Sequence, residues 1–421
     1  MSEILITGAR ILGGEPQDLL IRDGRFADPA GADDPERVDA DGLIALPGLV
    51  DTHCHLREPG REDAETIATG TRAAARGGFT AVLAMANTNP VTDTAEAARH
   101  IREVAAETAS AEVFPVGAVT RSLAGQELAE LGLMARVGVR VFSDDGHCVA
   151  DPLLMRRALE YVRAFDGVIA QHAQDPRLAG SGACCHEGEI SGRLGLGGWP
   201  AAAESVIVAR DVELARLTRS RVHVCHVSTA ESVDIIRWAK QRGVRVTAEV
   251  TPHHLLLTTD EVVGYDPTFK VNPPLRPDEH VTALREGLAD GTIDCVGTDH
   301  APHAAQDKDH AFGDAAFGML GLEAALGVVL ETMVSTGRLD WAQLVERMAY
   351  APARIAGLTA QGRPLEVGEP ANLVLVDPDR RRVVDRADSA SLSRNNPYHG
   401  RDLPDPVELT MWRGQVTWSR R

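Results

Sequence analysis

Five short apolar runs in this 421-residue chain end in side chains that ligate metal ions. The first is Leu49-Val50-Asp51-Thr52-His53-Cys54-His55, in which two histidines stand two residues apart. On a strand that spacing turns both imidazoles to one face, and two converging neutral imidazoles suit a divalent metal. Val139–Phe142 is followed by Ser143-Asp144-Asp145-Gly146, Val168–Gln171 by His172, Arg221–Cys225 by His226, and Cys295–Thr298 by Asp299-His300. One such ending is most simply a satisfied polar group at a strand terminus. Five of them, in a chain with 15 histidines, point to a metal site. Alternation sorts the candidates: Val141, Ser143 and Asp145 share a face, so Asp145 rather than Asp144 points inward, with His172 and His226 on the equivalent faces of their strands. By the same count His223 faces the surrounding helices, where a packing role is expected.

Positioning these groups requires strands that end together. Apolar segments end near Asp51, Met85, Val119, Phe142, Gln171, Val227, Val250 and Gly297. Between most of them run Ala-rich helical stretches, including Ala64–Arg76, Thr94–Ala109, Pro152–Ala164, Ala201–Leu217 and Ala230–Gln241. Eight strands alternating with helices fit an α/β (β/α)8 TIM barrel, a fold that carries its chemistry at the C-terminal ends of its strands. Periodicity alone also admits a doubly wound sheet. Ile4–Thr7, Leu19–Gly24, Ala371–Asp377 and Val407–Gly414 read as short strands and turns at the two chain ends. Neither end can bury a core alone. We therefore expect one small β-sandwich domain assembled from residues 1–46 plus 362–421, with the barrel over 47–361.

Composition narrows the partners. The net charge of −18 argues against nucleic acid and anionic membranes. No apolar run approaches the roughly 20 residues of a membrane span. Met1-Ser2-Glu3-Ile4 lacks the features of a secretory signal, so a cytoplasmic location is expected. The six cysteines include no CxxC pair and read as reduced thiols, the adjacent Cys184-Cys185 as incidental. Lysine occurs only at Lys240, Lys270 and Lys308.

The run Ala45-Leu46-Pro47-Gly48-Leu49-Val50-Asp51-Thr52-His53-Cys54-His55-Leu56-Arg57-Glu58-Pro59-Gly60 resembles the opening motif of the amidohydrolase superfamily. More narrowly it is similar to the class I dihydroorotases, the longer bacterial type. Further blocks carry the likeness across nearly the whole chain: Asn87-Thr88-Asn89-Pro90, Phe142–Gly146, Glu187-Gly188 through Leu196, Val271–Arg276 and Gly297–His303. The resemblance implies reversible cyclisation of N-carbamoyl-L-aspartate to L-dihydroorotate and water in pyrimidine biosynthesis, with water activated by one or two zinc ions. It implies zinc on His53, His55 and Asp299, a second metal on His172 and His226, and Asp145 as the bridge. Many superfamily members bridge with a carboxylated lysine; none of the three lysines lies near the fourth strand end, which agrees with Asp145 in that role.

Asp299 is then the proton shuttle. Arg57 is placed to clamp the substrate carboxylate, unless a loop ion pair with Glu58 or Glu62 occupies it. The resemblance adds Asn89 and His303 to the carboxylate site, Asn272 to the ring, and the backbone of Phe317 and Gly318 to the ring amide. Residues 302–312 read as a polar loop able to close over the site. Gln174 stands where the family commonly has an acidic residue, which weakens the expected support of His172. A homo-oligomer, a dimer first, and association with aspartate carbamoyltransferase also follow from the resemblance. Rival readings are a hydantoinase, dihydropyrimidinase or allantoinase, or a non-catalytic partner of aspartate carbamoyltransferase; the filled ligand positions argue against the last.

Overall fold

The computed structural model describes residues 3–420. Eight parallel strands form its centre: Leu49–Cys54, Phe79–Ala84, Glu112–Pro115, Val141–Phe142, Val168–Gln171, Arg221–Val224, Val246–Val250 and Cys295–Val296. The first three pair in order, as do the last five. Two short parallel bridges join these ladders, Gly117 to Phe142 and His300 to Cys54. The His55 amide donates to the His300 carbonyl at 2.9 Å and completes the ring. The strands thus close into a barrel, and the doubly wound alternative falls away.

Local chemistry accounts for the helices outside it. Thr66 caps Ile67–Arg76 through a reciprocal pair with Thr69. Asp151 accepts from the Leu154 amide and Pro152 opens Pro152–Val162. Thr229 accepts from the Ser232 amide at the start of Ala230–Gln241. Apolar faces such as Ile67, Ala73 and Ala74, or Val233, Ile236 and Ala239, are buried with the strands in one large core. Inside the barrel, Val50 and Ala81 pack with Ala353 from the helix Ala351–Ala356.

Both chain ends contribute to a second sheet. Glu3–Ile11 pairs with Pro16–Arg22 on one edge and, on the other, with Glu36–Asp39 along its first half and Ile44–Pro47 along its second. Gly8 at φ 74°, within a register shift, permits that fork. Ile44–Pro47 then pairs with Leu373–Val376, which pairs with Val407–Trp412, and this with Gln415–Ser419. The sheet curls until its distant strands share one core of Ile6, Leu19, Ile21, Leu373, Leu375 and Met411. The two layers of the sandwich are therefore one continuous folded sheet. Its hairpin turns meet at Gly24 and Gly414, where a Cβ on Gly414 would lie 2.8 Å from the Gly24 Cα. No helix among the described residues is long and apolar enough to cross a membrane.

Candidate metal centre

All six expected ligands converge at the C-terminal mouth of the barrel, each nine-tenths or more buried. Asp145 stands at the centre. Its Oδ2 lies 3.3 Å from both His53 Nε2 and His55 Nε2, and its Oδ1 lies 3.3 Å from His172 Nδ1 and 3.2 Å from His226 Nε2. Asp299 joins the first group, with Oδ1 3.1 Å from His55 Nε2 and 3.6 Å from His53 Nε2. One carboxylate thus faces two sets of nitrogen donors with its two oxygens. Asp144 turns away and accepts from the amides of Val119 (2.8 Å) and Thr120 (2.9 Å), so the alternation along this strand holds into its loop.

The rings are aimed by partners behind them. A carboxylate only accepts, so His53 Nδ1 donates to Glu249 (2.7 Å) and Nε2 keeps its lone pair. His55 Nδ1 donates to the Asn87 carbonyl oxygen (2.9 Å), which likewise leaves Nε2 for the centre. His172 Nε2 donates to Gln174 Oε1 (2.7 Å), which leaves Nδ1. That last bond corrects the expectation about Gln174: an amide oxygen accepts as a carboxylate does, and His172 is held. His53 Nε2 is buried with no hydrogen-bond partner, and His172 Nδ1 and His226 Nε2 sit 2.9 Å apart. An orphaned lone pair and a close pair of imidazole nitrogens facing carboxylate oxygens form a donor set that fits divalent metal ions.

Electrostatics agree. Burial pushes the Asp145 carboxyl up, but His53, His172 and His226 outweigh it and hold it well below the usual range. Asp299 is brought to about 2 despite burial, by the His55 hydrogen bond and the neighbouring imidazoles. Burial pulls His55 down, whereas Asp145 and Glu249 outweigh burial at His53, and Asp145 does so at His172, raising both. Two ionised carboxylates in a dry pocket require cations beside them.

Glu249 escaped the sequence reading. It lies within the strand Val246–Val250, fully buried, and accepts from Thr52, His53 Nδ1, His223 Nε2 (3.1 Å) and the His226 amide (3.3 Å). This corrects the expectation for His223: it turns away from the helices, against which Val222 and Val224 pack instead, and shares this carboxylate with His53, the alternation being broken before His226 at φ 31°. The available signal was the one carboxylate inside a mostly apolar strand.

The expected substrate contacts gather on two loops. Arg57, at φ 62°, donates from Nε to the Pro302 carbonyl (3.0 Å), with Nη2 3.4 Å from His303 Nε2. Glu58 and Glu62 accept instead from the amides of Ile67 and Gly60. Burial and Arg57 bring His303 down to about 2, so it is neutral, and its Nε2 donates to the Phe317 carbonyl (2.7 Å). The Gly318 amide donates to the Lys270 carbonyl (2.9 Å). Asn272 Nδ2 donates to Gln174 Oε1 (3.1 Å), while its buried Oδ1 has no partner. Asn89 is exposed; the asparagine of that loop that reaches the ligands is Asn87.

The 302–312 segment holds a short helix, Ala305–Lys308, and is pinned down. Asp307 pairs with Arg61, Gln306 donates to Asp63 (3.2 Å), and Lys308 Nζ donates to the carbonyls of Pro267, Lys270 and Ala316. Lys240 pairs with Asp294 at 2.6 Å, and Lys270 Nζ lies 4.3 Å from the Phe317 ring centre.

Comparison with known proteins agrees with this geometry. Residues 42–232 match a family described as dihydro-orotase-like. The chain is 60% identical over 423 residues to a dihydroorotase of Streptomyces coelicolor, covering 99% of this chain and 98% of that one. It is 54% identical over 421 residues to a dihydroorotase of Mycobacterium tuberculosis, covering 98% of each. Among solved structures it is similar to an L-hydantoinase (dihydropyrimidinase) from Arthrobacter aurescens, with a TM-score of 0.89 at 27% identity, covering 100% of this chain and 97% of that one.

Proposed function

The chain belongs to the dihydroorotase family of cyclic-amide hydrolases, and from that premise we propose how its metal centre cyclises N-carbamoyl-L-aspartate reversibly to L-dihydroorotate and water. The observation that carries this reading is Asp145, whose two oxygens face two separate histidine sets. Zinc fits the His/Asp donors, one ion on His53, His55 and Asp299 and a second on His172 and His226, with Asp145 shared. Zinc held there would bring the pKa of a bound water down to about 7 and polarise an amide carbonyl.

The protein's own groups supply the rest. Asp299, ionised and 3.1 Å from His55 Nε2, takes the proton of the attacking water in the hydrolytic direction and passes it to the departing ring nitrogen. Cyclisation reverses those transfers. Arg57 presents guanidinium N–H donors beside neutral His303, whose single N–H would pass from the Phe317 carbonyl to a ligand; together they suit the ring carboxylate of dihydroorotate, a group that hydantoin and dihydrouracil lack. Asn272 offers its unpartnered Oδ1 to a ring N–H. The Phe317 carbonyl and the Gly318 backbone border the ring, and Asn89 belongs to the same mouth through its loop.

The reading includes the division into a barrel over 47–361 and a β domain from 1–46 plus 362–421. It also makes the chain a cytoplasmic homo-oligomer, a dimer first, open to association with aspartate carbamoyltransferase; particle mass in solution checks that part.

Dihydroorotate hydrolysis by the purified, zinc-loaded chain, beside Asp299→Ala, tests the chemistry. The wild type should turn over and the variant should fall to background. Turnover of hydantoin or dihydrouracil in place of dihydroorotate would overturn the assignment.

A further inference from the structure

The C-terminal part of the chain returns to the barrel mouth between the strands Arg381–Val383 and Asp402–Pro404. There, residues 391–395 cross from the loop after the first barrel strand to the loop after the eighth. At one end Ser391 donates to Glu65, the Leu392 amide donates to Glu65 Oε1 (3.0 Å), and Ser393 Oγ donates to the Ala64 carbonyl (2.6 Å). At the other end Asn395 Oδ1 accepts from the His303 amide (3.2 Å), and Nδ2 donates to the carbonyls of Ala301 (2.9 Å) and Gly318 (3.2 Å). The Asn395 carbonyl also accepts from the Leu320 amide (3.0 Å). Ser391, Ser393 and Asn395 are all buried, as is Glu65.

The loop held at the Glu65 end carries Arg57, and the loop held at the Asn395 end carries His303 and Gly318. These are the groups assigned above to the substrate carboxylate and ring amide. We propose that Asn395 is a positioning residue for substrate: through the strap Ser391–Asn395 it fixes the separation between Arg57 and His303 that a carboxylate must span. This inference rests on the dihydroorotate reading. Asparagine is the side chain the position requires, since a primary amide accepts once and donates twice at one point. Aspartate keeps the volume and the acceptor but faces two carbonyls with no hydrogen to give. A misplacement of a fraction of an ångström in a carboxylate clamp costs substrate binding, while the metal ligands, held by Glu249, Asn87 and Gln174, are untouched.

The test compares wild type, Asn395→Ala, Asn395→Asp and Ser393→Ala, all zinc-loaded. The readouts are kcat and KM for L-dihydroorotate, the Kd of orotate (which keeps the ring carboxylate), zinc content and the midpoint of thermal unfolding. In both Asn395 variants KM and the orotate Kd should rise on the order of tenfold or more, with kcat within about threefold and zinc content unchanged. Ser393→Ala, which loosens the far anchor, should show the same split at severalfold size and keeps the question decidable if the Asn395 variants do not fold. Unchanged KM and Kd would overturn the proposal. So would a parallel fall in kcat, zinc and unfolding midpoint, which marks a merely structural role. A wild type that neither hydrolyses dihydroorotate nor binds orotate would instead remove the functional reading beneath it.

Discussion

The barrel mouth and the interior of the folded sheet are equally dry and were built by opposite rules. In the sheet, Ile6, Leu19, Leu373 and Met411 pack together in one apolar core. At the mouth, Asp145, Asp299 and four histidines are buried together, and three residues of the site, Arg57, His226 and Asp299, hold φ of 62°, 31° and 45°. Left-handed backbone at non-glycine residues costs of order 1–3 kcal/mol each, and buried charge costs more. The sheet and the layer of helices around the barrel supply the apolar burial that offsets this. Depth alone therefore says nothing about function in this molecule. Burial combined with strain and orphaned lone pairs does.

The contrast yields predictions in descending size. Asp145→Ala removes the carboxylate that both histidine sets share; activity should drop on the order of 10⁴-fold, equivalent to about 5 kcal/mol of transition-state stabilisation. Steady-state kinetics with metal analysis checks this, and a variant retaining full zinc and activity would break the contrast at its centre. Glu249→Gln should weaken metal binding by about 10- to 100-fold, because an amide cannot serve as acceptor to four donors with both of its atoms. Competition with a chromophoric chelator measures that loss, and unchanged affinity would reduce Glu249 to a core residue. Met411→Ala should cost about 2–5 kcal/mol of stability and leave kcat/KM within about twofold. Denaturant titration beside an activity assay decides it. An activity loss larger than the unfolded fraction would tie the sheet to the chemistry and erase the distinction.

Much of this contrast is legible in the amino-acid sequence. The barrel strands are apolar runs, and their ends announce themselves because His53, His55, Asp145, His172, His226 and Asp299 interrupt hydrophobic sequence at fixed register. Helices such as Ala230–Gln241 emerged with both bounds intact, since caps and periodicity are local. What stayed hidden acts at a distance. Glu249 alternates with Val246, Ala248 and Val250, which pack with the surrounding helices, and so points into the closed barrel beside His53 and His223, an inner face that a strand read alone does not reveal. Asn395 lies 92 positions from the His303 amide it holds, and no spacing rule connects them. Asn87 reaches His55 Nδ1 through the bend of a loop, 32 positions along the chain, which no spacing rule predicts. Gln174 looked like a defect because residue type was weighed without the hydrogen-bond role that an amide oxygen fulfils equally well.

The order in which the chain is made gives the curled sheet a further meaning. Ile44–Pro47 needs Leu373–Val376 as its neighbour, and roughly 330 residues must be synthesised between them, about 15–65 s at ordinary elongation rates. Throughout that interval an apolar strand edge waits unpaired. Every proposed metal ligand has been synthesised by Asp299, but the strap between the proposed substrate loops follows almost a hundred residues later. A nascent chain therefore acquires its proposed metal-binding groups well before the piece that holds its substrate loops in place.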